Sequence, residues 1–83
     1  MQRRTGYDDV EEISDPDGVV ALISRRRSTG GLSVAIFRTY ERDGVKEKTA
    51  FIGPKQLPAL RRVLDIAEKR IEKLEAENRP GAR

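Results

Sequence analysis

The chain contains no cysteine, no histidine and no tryptophan, and its aromatic residues are Tyr7, Phe37, Tyr40 and Phe51. Without cysteine there is no disulfide to reinforce a small fold and no thiolate to bind zinc. Without histidine the commonest metal ligand is missing, and so is the side chain that titrates near neutral pH. A metal ion would have to be held by carboxylates alone, and the acidic run from Asp8 to Asp17 does not follow the ligand-and-glycine order of an EF-hand loop. Ser14, Ser24, Ser28 and Ser33 stand in no nucleophile motif. Gly30-Gly31 has neither the Walker lysine nor the following helix that a phosphate loop requires. The expectation is therefore a protein without catalytic residues, metal or cofactor, and not an enzyme. Long apolar runs are also missing, since nothing approaches a signal-peptide core or the ~20 residues of a membrane span. An intracellular protein of cytoplasm, nucleoid or nucleus, with no membrane partner, is expected.

At 83 residues the chain has room for one hydrophobic core, and a core of that size supplies little net stability. With disulfides and metals excluded, association with a second copy is the remaining reinforcement. The formal net charge is +3, but it is unevenly spread. Asp8, Asp9, Glu11, Glu12, Asp15 and Asp17 put six acids in the first seventeen residues, against Arg3 and Arg4. From Arg25 to Arg62 there are ten basic residues and three acids. A basic field of this kind favours a polyanionic partner. Ordinary surface solubility is the plain alternative, and charge alone does not separate the two.

Residues 1–17 offer only Tyr7, Val10 and Ile13 as sizeable apolar groups and are expected to be an acidic, mostly disordered arm. Val10 and Ile13 leave a short edge strand open as the other reading. Asp15-Pro16-Asp17-Gly18 is a strong turn signal. The β-branched run Val19–Arg25 follows, closed by Ser28-Thr29-Gly30-Gly31, then an alternating stretch from Leu32 to Glu41. Asp43-Gly44 marks a tight hairpin before a further strand from Val45 to Ile52. No connection is long enough for a βαβ crossover, so the sheet is an antiparallel meander of three to four strands.

A long helix is expected to follow, entering at Gly53-Pro54-Lys55-Gln56 and ending near Glu77, before Asn78, Pro80 and Gly81. Pro58 needs a first-turn position, which puts the start of the α-helix proper close to Lys55 or Gln56. The fold class is thus α+β, a curved antiparallel sheet followed by one C-terminal helix, with residues 18–79 as the domain and 80–83 as a disordered tail. Leu57, Leu60, Leu64, Ala67, Ile71 and Leu74 form a heptad-like stripe. A helix of this length spans ~34 Å, more than the sheet beneath it is wide. Part of the stripe therefore needs another surface. A two-fold related copy meeting Leu60, Leu64, Ala67, Ile71 and Leu74 is the simplest, and a frayed end beyond Ile71 is the alternative.

Four features succeed one another in order: a basic strand and turn from Ile23 to Gly31, Arg38-Thr39-Tyr40, the Asp43-Gly44 hairpin, and Pro54-Lys55-Gln56 at the helix entry. In that order and spacing, the stretch from Ala21 to Leu74 resembles the single-stranded-DNA-binding domain of the transcriptional positive cofactor four family, a whirly-like ββββα unit. The resemblance implies a homodimer with helices at the two-fold interface and curved sheets that offer basic and aromatic side chains to a single strand. It makes Arg25, Arg26, Arg27, Arg38, Lys46 and Lys48 candidates for phosphate contacts, with Phe37 and Tyr40 as stacking aromatics. Two positions depart from the family pattern. Leu57 stands where an aromatic follows Pro-x-Gln, and Ser28-Thr29 replaces an aromatic in the turn.

Three adjacent arginines repel one another, which an anionic ligand explains more easily than a solvated strand end. Phe37 lies on the strand face opposite Leu32, Val34 and Ile36, so it is exposed if those three face the helix and buried if the parity is reversed. The leading expectation is a single-stranded nucleic-acid-binding module, DNA favoured over RNA, acting as a transcription cofactor or regulator. The rival is a homodimeric interaction module that binds an acidic protein partner.

Overall fold

A computed structural model describes residues 5–78; the tail expected at 80–83 and the arginines Arg3 and Arg4 lie outside them. Strands β1 (Tyr7–Ser14), β2 (Val19–Arg26), β3 (Leu32–Arg42) and β4 (Val45–Thr49) form one antiparallel sheet in the order β1-β2-β3-β4. A 3-10 turn at Pro54–Gln56 leads into helix α1 (Leu57–Asn78). This is the α+β architecture that the alternating strands and the heptad-like stripe predict. Among the described residues no helix is long and apolar enough to cross a membrane.

The hairpin turns are made by the residues that tolerate them. Asp43 and Gly44 both take positive φ, 53° and 78°, as a tight β3–β4 turn demands. At the β1–β2 turn the Asp15 carboxylate accepts the backbone N–H of Asp17 (3.0 Å), and Gly18 sits at φ 91°. A Cβ at Gly18 would lie 2.7 Å from the carbonyl oxygen of Thr39. Glycine is therefore required twice there, by its backbone angle and by the close approach of β3. The gap is closed by the Thr39 N–H donating to the Gly18 carbonyl at 2.8 Å.

The core lies between one face of the sheet and α1. Ile13, Val19, Ala21 and Ile23 meet Ala59, Val63 and Ala67, with Leu32, Ile36, Leu60, Ile71 and Leu74 packed around them. Alanines at 21, 59 and 67 let the helix approach β2 closely. Val19, Ile23 and Val63 are almost wholly buried, each worth roughly 1.5–3 kcal/mol over its exposed state. Arg62 and Arg70 turn one flank of α1 toward β1, where they meet Asp15 and Glu11.

Three boundaries differ from expectation. The acidic segment is not a disordered arm: β1 pairs with β2 from Tyr7 to Ser14, with an irregularity between Asp9 and Glu11. Its few apolar groups suffice because an edge strand buries one face only. Ile13 reaches the core at 8 % exposure, and Glu11 is compensated by Arg70 at 2.9 Å. β4 stops at Thr49 instead of Ile52, because the Thr49 hydroxyl accepts the Phe51 N–H at 3.1 Å and bends the chain out of the ladder. The α-helix begins at Leu57, after a 3-10 turn closed by the Gln56 N–H on the Gly53 carbonyl (2.9 Å), which places Pro58 in its first turn.

Candidate nucleic-acid interface

The pleat sorts the expected contact residues onto two sides. Leu32 and Ile36 pack on the core beneath α1, so Phe37 is on the helix-free face, directly across from Val20. Arg26 is on that same face, across from Tyr7, as are Lys46 and Lys48, across from Glu41 and Thr39. Two rings there are each covered by a cation: Lys48 Nζ lies 4.5 Å from the centre of Phe37, and the Arg26 guanidinium 5.5 Å from that of Tyr7. Both are within cation–π range. Measured along β2 from Val20 to Arg26 the two pairs are ~20 Å apart. Around the Tyr7 end, Thr5, Gly6, Arg26, Arg27 and Ser28 line an open groove of about 630 Å³.

The remaining candidates are elsewhere. Arg25 is on the helix side, where its Nη1 donates to the Gly30 carbonyl at 3.1 Å. Arg27 lies past the end of β2 and is paired with Asp8 at 2.9 Å, a hydrogen bond that raises the pKa of its guanidinium further. Arg38 and Tyr40 are on the helix side of β3. Arg38 Nε donates to the Phe51 carbonyl (3.3 Å), and its guanidinium lies 5.6 Å from the Tyr40 ring. The Tyr40 hydroxyl donates to Glu47 at 2.8 Å, which, with burial, raises its pKa above the ordinary value. The helix-free face thus brings together Arg26, Phe37, Lys46 and Lys48, with Arg27 at its margin, lining the groove beside Tyr7 while paired with Asp8, and leaves Arg25, Arg38 and Tyr40 outside the group. The repulsion argument for the arginine triplet also weakens, because Arg25, Arg26 and Arg27 have separate intramolecular neighbours in Gly30, Tyr7 and Asp8.

Charge on the helix-free face is divided. Asp9 and Glu12 occupy its β1 edge, and Lys46 and Lys48 its β4 edge. Of the helix positions expected at a dimer interface, Ala67 is a correction: at 2 % exposure it is buried by the chain's own sheet and has no surface left to offer. Leu60, Ile71 and Leu74 border that core, and Leu64 stands 42 % exposed.

Two aromatics were not among the expected contacts. Tyr7 was hidden by the composition of its segment, although a hairpin turn at Asp15–Gly18 implies a strand on both sides of it. Phe51 is 82 % exposed just beyond β4, and strand parity alone does not reveal where a chain leaves its ladder. Comparison with protein-family models, with curated proteins and with solved structures gives no match for this chain.

Proposed function

We propose that the helix-free face of the sheet binds single-stranded nucleic acid, DNA in preference to RNA, without strong sequence preference. The observation that carries this reading is the pair of cation-covered rings on one face, Phe37 with Lys48 and Tyr7 with Arg26. Both rings are half-buried under their cations. An unpaired base of any sequence stacks on such a ring when the cation moves off it to meet the phosphate that follows. A duplex keeps its bases stacked on each other and gains only the charge term. The resemblance over Ala21 to Leu74 supports the same ligand class and a role beside transcription. The test is a fluorescence-polarisation titration of labelled single strands, DNA and RNA, against a duplex of equal length, with an acidic polymer as competitor. Single strands bind more tightly than the duplex and resist the polymer. Equal duplex binding, or full displacement by the polymer at matched charge, assigns the surface to an acidic protein partner instead.

A second surface favours self-association. Leu57 and Leu64 on α1, with Val34 on β3, are 42 %, 42 % and 37 % exposed. Leu57, Leu60 and Leu64 lie on the flank of the helix turned away from Arg62 and Arg70, and hence away from β1. We propose that this flank meets a second copy across a two-fold axis, with Leu64 at its centre.

A further inference from the structure

The two edges of the sheet, β1 and β4, carry opposite charge on the same face. On the helix-free side β1 presents Asp9 and Glu12, β4 presents Lys46 and Lys48, and all four residues are exposed. The irregularity in β1 makes Val10 an extra residue, so that Asp9 stands opposite Ser24 and Glu12 opposite Leu22. The two acids are therefore two ladder positions apart, which is also the spacing of Lys46 and Lys48. An even number of antiparallel strands makes β1 and β4 run in opposite directions. A copy displaced sideways along the sheet thus brings its β1 antiparallel to its neighbour's β4. Edge strands carry rows of unsatisfied backbone donors and acceptors, and like charges deter pairing between like edges. Lysines would face lysines at a β4–β4 contact, and carboxylates would face carboxylates at a β1–β1 contact. On this face only the unlike pairing is attractive. On the helix side the same pairing sets Glu47 opposite Glu11, and each of these is already compensated within its own chain, by Arg42 and by Arg70.

We infer that β4 of one copy docks on β1 of the next, Lys46 facing Glu12 and Lys48 facing Asp9, so that the meander continues from chain to chain. The contact is heterologous: it extends into a row or closes into a ring and does not stop at two. Exposed ion pairs are individually weak. The association therefore grows with protein concentration and depends on salt, whose screening length falls from ~30 Å at 0.01 M to ~3 Å at 1 M. It stands apart from the nucleic-acid reading and is tested without nucleic acid.

Sedimentation velocity over a concentration series, at low salt and at 1 M salt, is run on the wild type, on Lys46→Glu/Lys48→Glu, on Asp9→Lys/Glu12→Lys, and on an equimolar mixture of the two variants. The wild type grows past a dimer at low salt and loses that growth at 1 M. Each variant alone has two edges of like sign and stays at the size the wild type shows in high salt. The mixture regains growth, because each variant's edges complement the other's. A wild type whose size at low salt does not change with concentration overturns the inference, and it does so even where a variant fails to fold. Growth that persists in either folded variant, or a mixture of folded variants that does not regain it, overturns it equally.

Discussion

Arg62 on α1 holds Asp15 at the β1–β2 turn with two hydrogen bonds, Nε to Oδ2 at 2.8 Å and Nη2 to Oδ1 at 3.2 Å. The side chain of Asp15 is 7 % exposed, so this contact ties the turn to the helix across the edge of the core. The Arg62 hydrogen bond, and after it the Asp17 N–H, lower the Asp15 pKa below its ordinary value of 3.8. A carboxyl whose pKa is lowered by folding contributes stability above its unfolded value, and that stability is lost as the pH falls through the folded one. Arg62→Ala is expected to lower Tm near neutral pH, with the two proteins converging as the pH drops below 3.8. Thermal melts across that range check it. Coincident melts at neutral pH would show that the pair contributes nothing.

Gly18→Ala places a Cβ 2.7 Å from the Thr39 carbonyl at a φ of +91°. The strained backbone alone costs about 1–3 kcal/mol. Gly30→Ala, at φ +76° with nothing within 4 Å of the added carbon, meets the backbone penalty without the clash. Urea midpoints should therefore fall further for Gly18→Ala than for Gly30→Ala. The reverse order would mean that β3 does not approach the turn as described.

Removing residues 1–14 is expected to abolish cooperative unfolding, since β1 supplies Ile13 to the core and Glu11 to Arg70. A thermal scan of the truncated chain decides this. A cooperative transition near that of the full chain would make β1 dispensable and return it to the status of an arm.

The elements differ in how far they were legible in the sequence. β2 announced itself by Val19, Ala21 and Ile23 at alternate positions, all of them buried, and β3 by Leu32, Val34 and Ile36, of which Val34 is left 37 % exposed. The helix was legible from the stripe Leu57, Leu60, Leu64, Ala67, Ile71 and Leu74, although of the residues it buries most deeply, Ala59, Val63 and Ala67, only Ala67 belongs to that stripe. β1 was not, because what holds it, the ladder with β2 and the burial of Ile13, lies outside its own composition, and its acids and that of the adjoining turn are balanced by residues further along the chain. Arg70 compensates Glu11, Arg27 compensates Asp8, and Arg62 compensates Asp15, none of which is visible in the local composition. The side of Phe37 was a parity question with two answers, and the packing of Leu32 and Ile36 on the core settled it. The resemblance implies a ligand surface that includes Arg38 and Tyr40, yet the pleat sets them on the other side of the sheet from Phe37. Arg38 Nε is engaged by the Phe51 carbonyl and the Tyr40 hydroxyl by Glu47.

Leu64→Asp puts a carboxylate on the exposed flank of α1, where pairing with a second copy would leave it desolvated without a partner. In 1 M salt, where edge charges are screened, the wild type should sediment as a dimer and Leu64→Asp as a folded monomer. A wild-type monomer under those conditions would assign the stripe to intramolecular packing alone.

Phe37→Ala removes a ring from the helix-free face and leaves the core beneath α1 untouched. Loss of one stacked base costs about 1–3 kcal/mol, roughly 5- to 150-fold in single-strand affinity. Titration by fluorescence polarisation reads it, with the melting temperature as the control for folding. Unchanged affinity in the folded variant would remove stacking from the account.

The most direct test of the binding face compares two double variants that remove equal charge, Lys46→Ala/Lys48→Ala on the helix-free face and Lys55→Ala/Arg61→Ala on the helix side. An oligonucleotide of about twenty thymidines is titrated with each over a range of salt. The account predicts the larger loss from the lysine pair of β4, with the slope of log K against log salt shallower by about 1.4, from roughly 0.7 per phosphate contact on a single strand. Equal losses and equal slopes for the two pairs, or a larger loss from the helix pair, would contradict it.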